Sequence, residues 1–104
     1  MKKVGLYFGS FNPIHIGHLI IAQSFLDETD LEEIWFVVSP QNPLKSVMEL
    51  ADASDRLKMV SLAIEGNQAF KYSDIEFDLP KPSYTITTLE ELGKKFPQNS
   101  FSII

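Results

Sequence analysis

Both histidines of the chain, His15 and His18, lie in the stretch GSFNPIHIGHL at residues 9–19, directly after a short apolar run. Imidazole donates hydrogen bonds near neutral pH and becomes a cation when a nearby anion raises its pKa. Side chains three apart in the first turn of a helix share a face, so the two rings can direct N–H groups at one anion. The helix start itself adds unpaired backbone N–H groups and a partial positive charge, a ready phosphate site. Gly9 and Ser10 allow a tight turn that brings backbone N–H groups to a ligand, and Gly17 leaves room for a nucleotide ring or sugar. Together these features suit phosphoryl or nucleotidyl transfer, in which catalysis consists mostly of positioning and of stabilising charge on the transferred group. A metal centre on the two histidines is the weaker reading, because no matching carboxylate stands beside them. The bland alternative, two ordinary loop histidines, sits poorly with their joint position at the end of an apolar run.

Other candidates are weaker alone. Lys45 lies in the proline-punctuated segment SPQNPLKS, beside the first loop, where it can reach a phosphate; the ordinary reading of a surface lysine is solvation. Arg56 opens a helix, where the dipole slightly disfavours a cation, so it meets a phosphate or pairs with Asp52 or Asp55. Trp35 follows an isoleucine and precedes a phenylalanine, which reads as core. The acidic pairs EEL and LEE read as solvated helix faces.

These residues need elements to hold them. Short apolar runs predict strands at 4–8, 34–38, 70–79 (from the alternation of Ile75, Phe77 and Leu79) and 101–104. Helical spacing appears at 17–26, 53–65 and 84–95, with Gly66-Asn67 as a stop for the second. The order β-α-β-α-β-α-β predicts one α/β domain over residues 1–104, a Rossmann-like parallel sheet wrapped by helices. In such sheets ligands bind at the carboxyl ends of the strands, where loops 9–18, 39–46 and 80–85 would meet. The chain stops at FSII, inside the fourth strand and without a covering helix, which points to truncation there or just beyond.

Composition sets limits. With 9 basic and 14 acidic residues among 104, the net charge is -5, which argues against a general nucleic-acid partner while allowing a local anion site. The hydrophobic share of 44% and charged share of 22% fit a soluble globular domain, and no stretch approaches a membrane span of about 20 residues. Cysteine is absent, so there is no disulfide frame or thiolate metal site, and the cytoplasm is the default location.

The segment GSFNPIHIGH resembles the G-[TS]-F-[DN]-P-x-H-x-G-H signature of the HIGH-motif nucleotidyltransferases. Within them the chain is similar to the bacterial nicotinate-nucleotide adenylyltransferase family, through NPLK, DRLKMVSLAI and PSYTITTLEEL as well. The resemblance implies adenylyl transfer from ATP to nicotinate mononucleotide, giving deamido-NAD and pyrophosphate in NAD biosynthesis, with Mg²⁺ assisting on the ATP phosphates. It implies His15 and His18 as catalytic phosphate ligands, ATP contacts at Gly9, Ser10, Phe11, Gly17 and Lys45, and Tyr84 and Thr85 at the nicotinate mononucleotide. The family also carries a late Ser/Thr-rich motif with a phosphate-gripping arginine, which this chain lacks. Related pantetheine-phosphate adenylyltransferases usually replace the first histidine; cytidylyltransferases keep both. A class I aminoacyl-tRNA synthetase fragment shares HIGH but fits neither the size nor the acidic charge, and a nucleotide-binding fragment without activity is the remaining alternative.

Overall fold

Four parallel strands form one sheet, in the order β3-β2-β1-β4, in a computed structural model of the chain; it describes residues 1–40, 52–80 and 84–104. Along the chain run β1 (Lys2–Gly9), α1 (Ile16–Glu28), β2 (Glu33–Val38), α2 (Ala53–Ala63), β3 (Phe70–Ser73), a 3-10 turn (Ile75–Asp78), α3 (Thr85–Lys95) and β4 (Asn99–Ile103). The first three strands step outward from β1, and the fourth returns to its other side. Crossovers of one hand then place α1 and α2 on one face and α3 on the other.

The alternation of β2 shows how sequence builds both layers. Ile34, Phe36 and Val38 face α1 and α2, and join Ala22, Val60, Ile64 and Phe70 in one core. Trp35 and Val37 face the other way, and pack with Val4, Leu6, Ile75 and Leu92 of α3. Burial on both faces explains why this strand reads as an unbroken apolar run. Lys2 and Lys3 extend β1 ahead of its apolar part, pairing in register with Asn99 and Ser100 of β4. The Lys2 ammonium meets Glu33 at 3.0 Å, and Lys3 is bound to Asp30.

The expected strand over 70–79 needs correction. It ends at Ser73, and residues 75–78 form a 3-10 turn. The Ser73 hydroxyl accepts the Ile75 N–H at 3.3 Å, and the Phe77 N–H donates to the Asp74 carbonyl at 2.9 Å. In an extended strand Ile75 and Phe77 would share a face. The turn instead sends Ile75 into the α3-side core and Phe77 toward the α1–α2 core.

Helix ends also shift slightly. Asp52 caps α2, its Oδ1 accepting the Ser54 N–H at 2.9 Å, and the helix closes at Ala63. Helix α1 runs on to Glu28, where Thr29 returns its N–H to the Phe25 carbonyl at 3.2 Å. Among the described residues no helix is long and apolar enough to cross a membrane.

Candidate active site

The loop leaving β1 opens at the point where the strand order reverses, between β1 and β4, and there the two histidines meet. His15 is the N-cap of α1, held in extended backbone, and so stands one place before the helix rather than within its first turn. Its Nδ1 accepts the Gly17 N–H at 3.0 Å, while Nδ1 of His18 accepts the His15 N–H at 3.0 Å. The pair reproduces the reciprocal bonding of a capping box with imidazoles in place of a hydroxyl and a carboxylate. A ring nitrogen that accepts an N–H carries no proton, so the neutral rings both hold hydrogen on Nε2. The rings lie one over the other, centroids 3.9 Å apart and planes 32° from parallel.

His18 is the inner ring. It is half-buried edge-on against Phe11 at 5.1 Å and Tyr7 at 6.0 Å, while His15 is exposed. Burial, with the neighbouring His15 adding to it, lowers the His18 pKa and favours the uncharged ring. Among the described residues neither Nε2–H has a protein partner. The cleft in front of them is lined by Tyr7, Gly9, Ser10, Phe11, Asn12 and Pro13. Such a site offers two Nε2–H donors and a helix N-terminus to an anion.

The glycines serve differently from the expectation. Room for a nucleotide was expected at Gly17, but a Cβ there would stand 2.8 Å from the His15 ring, which fills that space. At Gly9 a Cβ would stand 3.0 Å from the Phe11 ring. Phe11 is 2% exposed, and its φ of 48° lies in the left-handed region that few side chains adopt. Both glycines therefore make space for aromatic rings of the site itself.

Arg56, read from the sequence as meeting a phosphate or pairing with Asp52 or Asp55, turns its guanidinium to backbone carbonyls. It is 1% exposed, and its guanidinium donates to the carbonyls of Ser10 at 2.6 Å, Ser39 at 2.7 Å and Pro40 at 3.0 Å. Burial holds its pKa below the usual arginine value. It ties the ends of β1 and β2 to the first turn of α2. Lys45, in the next loop, lies outside the described residues, as do Pro82 and Ser83.

At the third loop, Tyr84 is the N-cap of α3 and 65% exposed, with Thr85 the first helical residue. The Tyr84 side chain makes no cap hydrogen bond, and the first N–H groups of the helix have no partner among the described residues. Sequence reasoning missed the support beneath it. Glu76, 5% exposed, accepts a hydrogen bond from the Thr88 hydroxyl at 2.8 Å, joining the 3-10 turn to α3. A glutamate amid apolar residues in IEFDL was the one available signal.

The cytidylyltransferase-like family model matches residues 6–101. The chain is 57% identical over 102 residues to a probable nicotinate-nucleotide adenylyltransferase of Cytophaga hutchinsonii, covering 98% of this chain and 53% of that protein. A protein of the same name from Flavobacterium johnsoniae is 56% identical over 102 residues, with 98% and 53% covered. The chain thus spans about half the length of the curated relatives it matches. Among solved structures, nicotinic acid mononucleotide adenylyltransferase of Plasmodium falciparum complexed with NaAD shares the fold at a TM-score of 0.77 and 21% identity, over 99% of this chain and 51% of that one.

Proposed function

Because the chain belongs to the cytidylyltransferase-like family, we propose that it supplies the catalytic histidines and nucleotide cleft of a nicotinate-nucleotide adenylyltransferase. The observation that carries this reading is the reciprocal histidine cap, which leaves two Nε2–H donors beside a helix N-terminus and an open cleft. In the proposed reaction a phosphate oxygen of nicotinate mononucleotide attacks the α-phosphorus of ATP. The bond from that phosphorus to the bridging oxygen breaks, and pyrophosphate leaves. The attacking phosphate is already ionised, so no general base is required. His18, the inner ring, donates from Nε2 to the α-phosphate as negative charge builds there, and His15 holds phosphates farther along. Gly9, Ser10 and Phe11 provide the backbone that lines the ATP, and Lys45 joins from the second loop. Gly17 acts indirectly, by seating the His15 ring.

Mg²⁺ would come with the ATP phosphates and would supply charge neutralisation at the leaving pyrophosphate. The N-terminus of α3, with Tyr84 and Thr85, suits the carboxylate of nicotinate better than a neutral amide. Action in the cytoplasm follows from this reading.

Calorimetric titration with ATP, CTP and nicotinate mononucleotide tests it. ATP is expected to bind the chain and CTP much more weakly. Preference for CTP would replace this reading with cytidylyl transfer, and no response to any of the three would remove it. In a chain extended to the length of its relatives, nicotinate mononucleotide is expected to be turned over in preference to nicotinamide mononucleotide, and the 104-residue chain to turn over little.

A further inference from the structure

We infer that Arg56 is a positioning residue for the nucleotide cleft, acting through the Ser10–Phe11 peptide; the inference rests on the nucleotide reading above. Its guanidinium is almost fully buried, and it donates to the backbone carbonyls of Ser10, Ser39 and Pro40. A planar fork can hold carbonyls from two loops at fixed separation, which an ammonium does less well. The peptide unit is planar and trans, with C=O and N–H pointing in opposite directions. Drawing the Ser10 carbonyl inward to Arg56 therefore turns the Phe11 N–H away from the guanidinium. That N–H has no hydrogen-bond partner among the described residues, although Phe11 is almost fully buried and lines the cleft. Unpaired backbone donors on buried residues are rare and call for a ligand.

The left-handed backbone of Phe11 makes this arrangement dependent on its clamp. At a φ of 48° the residue is strained for an aromatic side chain. Two contacts oppose relaxation: the Phe11 ring packed over Gly9, and the Ser10 carbonyl held by Arg56. The same guanidinium nitrogen bonds the Ser39 carbonyl at 2.7 Å, so the end of β2 moves with the end of β1. Arg56 touches no substrate in this scheme. It sets the direction of one donor and the spacing of two loops.

The test uses the 15N-labelled chain with Arg56→Lys and Arg56→Ala, and Leu92→Ala as a control destabilised in the opposite core. In ligand-free protein, Arg56→Ala is expected to shift the Phe11 amide resonance and change its φ-dependent coupling, while resonances of α3 hold still. ATP affinity is expected to fall on the order of tenfold, the worth of one lost hydrogen bond to an anion. Arg56→Lys should keep part of that affinity, and millimolar guanidinium should restore part of it to Arg56→Ala. An unchanged Phe11 resonance in folded Arg56→Ala overturns the inference, and so does an equal loss of ATP affinity in Leu92→Ala. If Arg56→Ala does not fold, the same comparisons are made on Arg56→Lys, where wild-type Phe11 signals and ATP affinity overturn it. Should the wild type itself ignore ATP, the nucleotide reading fails while the ligand-free resonances still decide the clamp.

Discussion

An asparagine carries its side-chain amide where a histidine has Nδ1, and a glutamine reaches the position of Nε2. This separates the two duties of His18, which caps α1 through Nδ1 and offers Nε2 to the cleft. His18→Asn should keep the cap and the stability but lose the donor; in the length-extended enzyme kcat should fall by about 10²–10³ with a smaller change in KM. His18→Gln should do the opposite, costing about 1 kcal/mol of stability, as lost caps do, while retaining more activity. Melting and steady-state kinetics on both check it, and two variants alike in both measures refute the division of labour. The titration of His18 adds a pH effect of known sign. Its folded pKa lies below the ordinary 6.5, chiefly through burial. As pH falls past that value the unfolded chain takes the proton first, so stability drops until the folded pKa is also passed. Denaturant midpoints between about pH 7.5 and pH 5.5 should fall less steeply in His18→Asn than in the wild type. That the two histidines meet was legible from their spacing. The reciprocal cap was not, because it depends on ring orientation, and neither was Arg56, whose carbonyl partners lie 46, 17 and 16 residues away.

At the scale of elements, the 3-10 turn and α3 are joined by one buried hydrogen bond between Thr88 and Glu76. Thr88→Val preserves shape and leaves the carboxyl group without its partner, which should cost about 1–3 kcal/mol. Adding Glu76→Met should recover most of that loss, since removing both polar partners is nearly neutral where one alone is not. Urea unfolding of the single and double variants measures the coupling, and simple additivity would show that the bond contributes nothing. This joint also explains why the sequence misled at 70–79. Ile75, Phe77 and Leu79 alternate as a strand should, but Ser73 and Asp74 supply local hydrogen bonds that end it. Periodicity reports which residues are apolar, and a tight turn between two cores needs apolar residues on both sides. β1 and β2 were legible because each holds an apolar run, as Ile34 to Val38 does before Ser39-Pro40, whereas β4, expected over 101–104, begins at the polar Asn99 and ends at Ile103.

For the whole molecule, the order β3-β2-β1-β4 makes β1 and β2 the inner strands; the segment with His15 and His18 follows β1, and Ser39 and Pro40 follow β2. The element order that implied this topology was readable because α1, α2 and α3 each separate two apolar runs. What the order could not convey is the outer surface of α1, whose first half leaves Ile16, Ile20 and Ile21 exposed.

Placing the ligand loops on inner strands has a consequence for how the molecule opens. Amides of β1 and β2 are bonded into the sheet with a strand on either side, so their hydrogens exchange with solvent only when the whole domain unfolds. Those of β3 and β4, at the sheet edges, have cheaper local routes. Saturating ATP should therefore slow exchange in β1 and β2 by one common factor, set by ligand concentration over Kd, while the loop over residues 10–18 gains protection of its own. A mass-resolved exchange time course would show it, and unequal slowing within the two inner strands would mean that the cleft opens by loosening its own foundations.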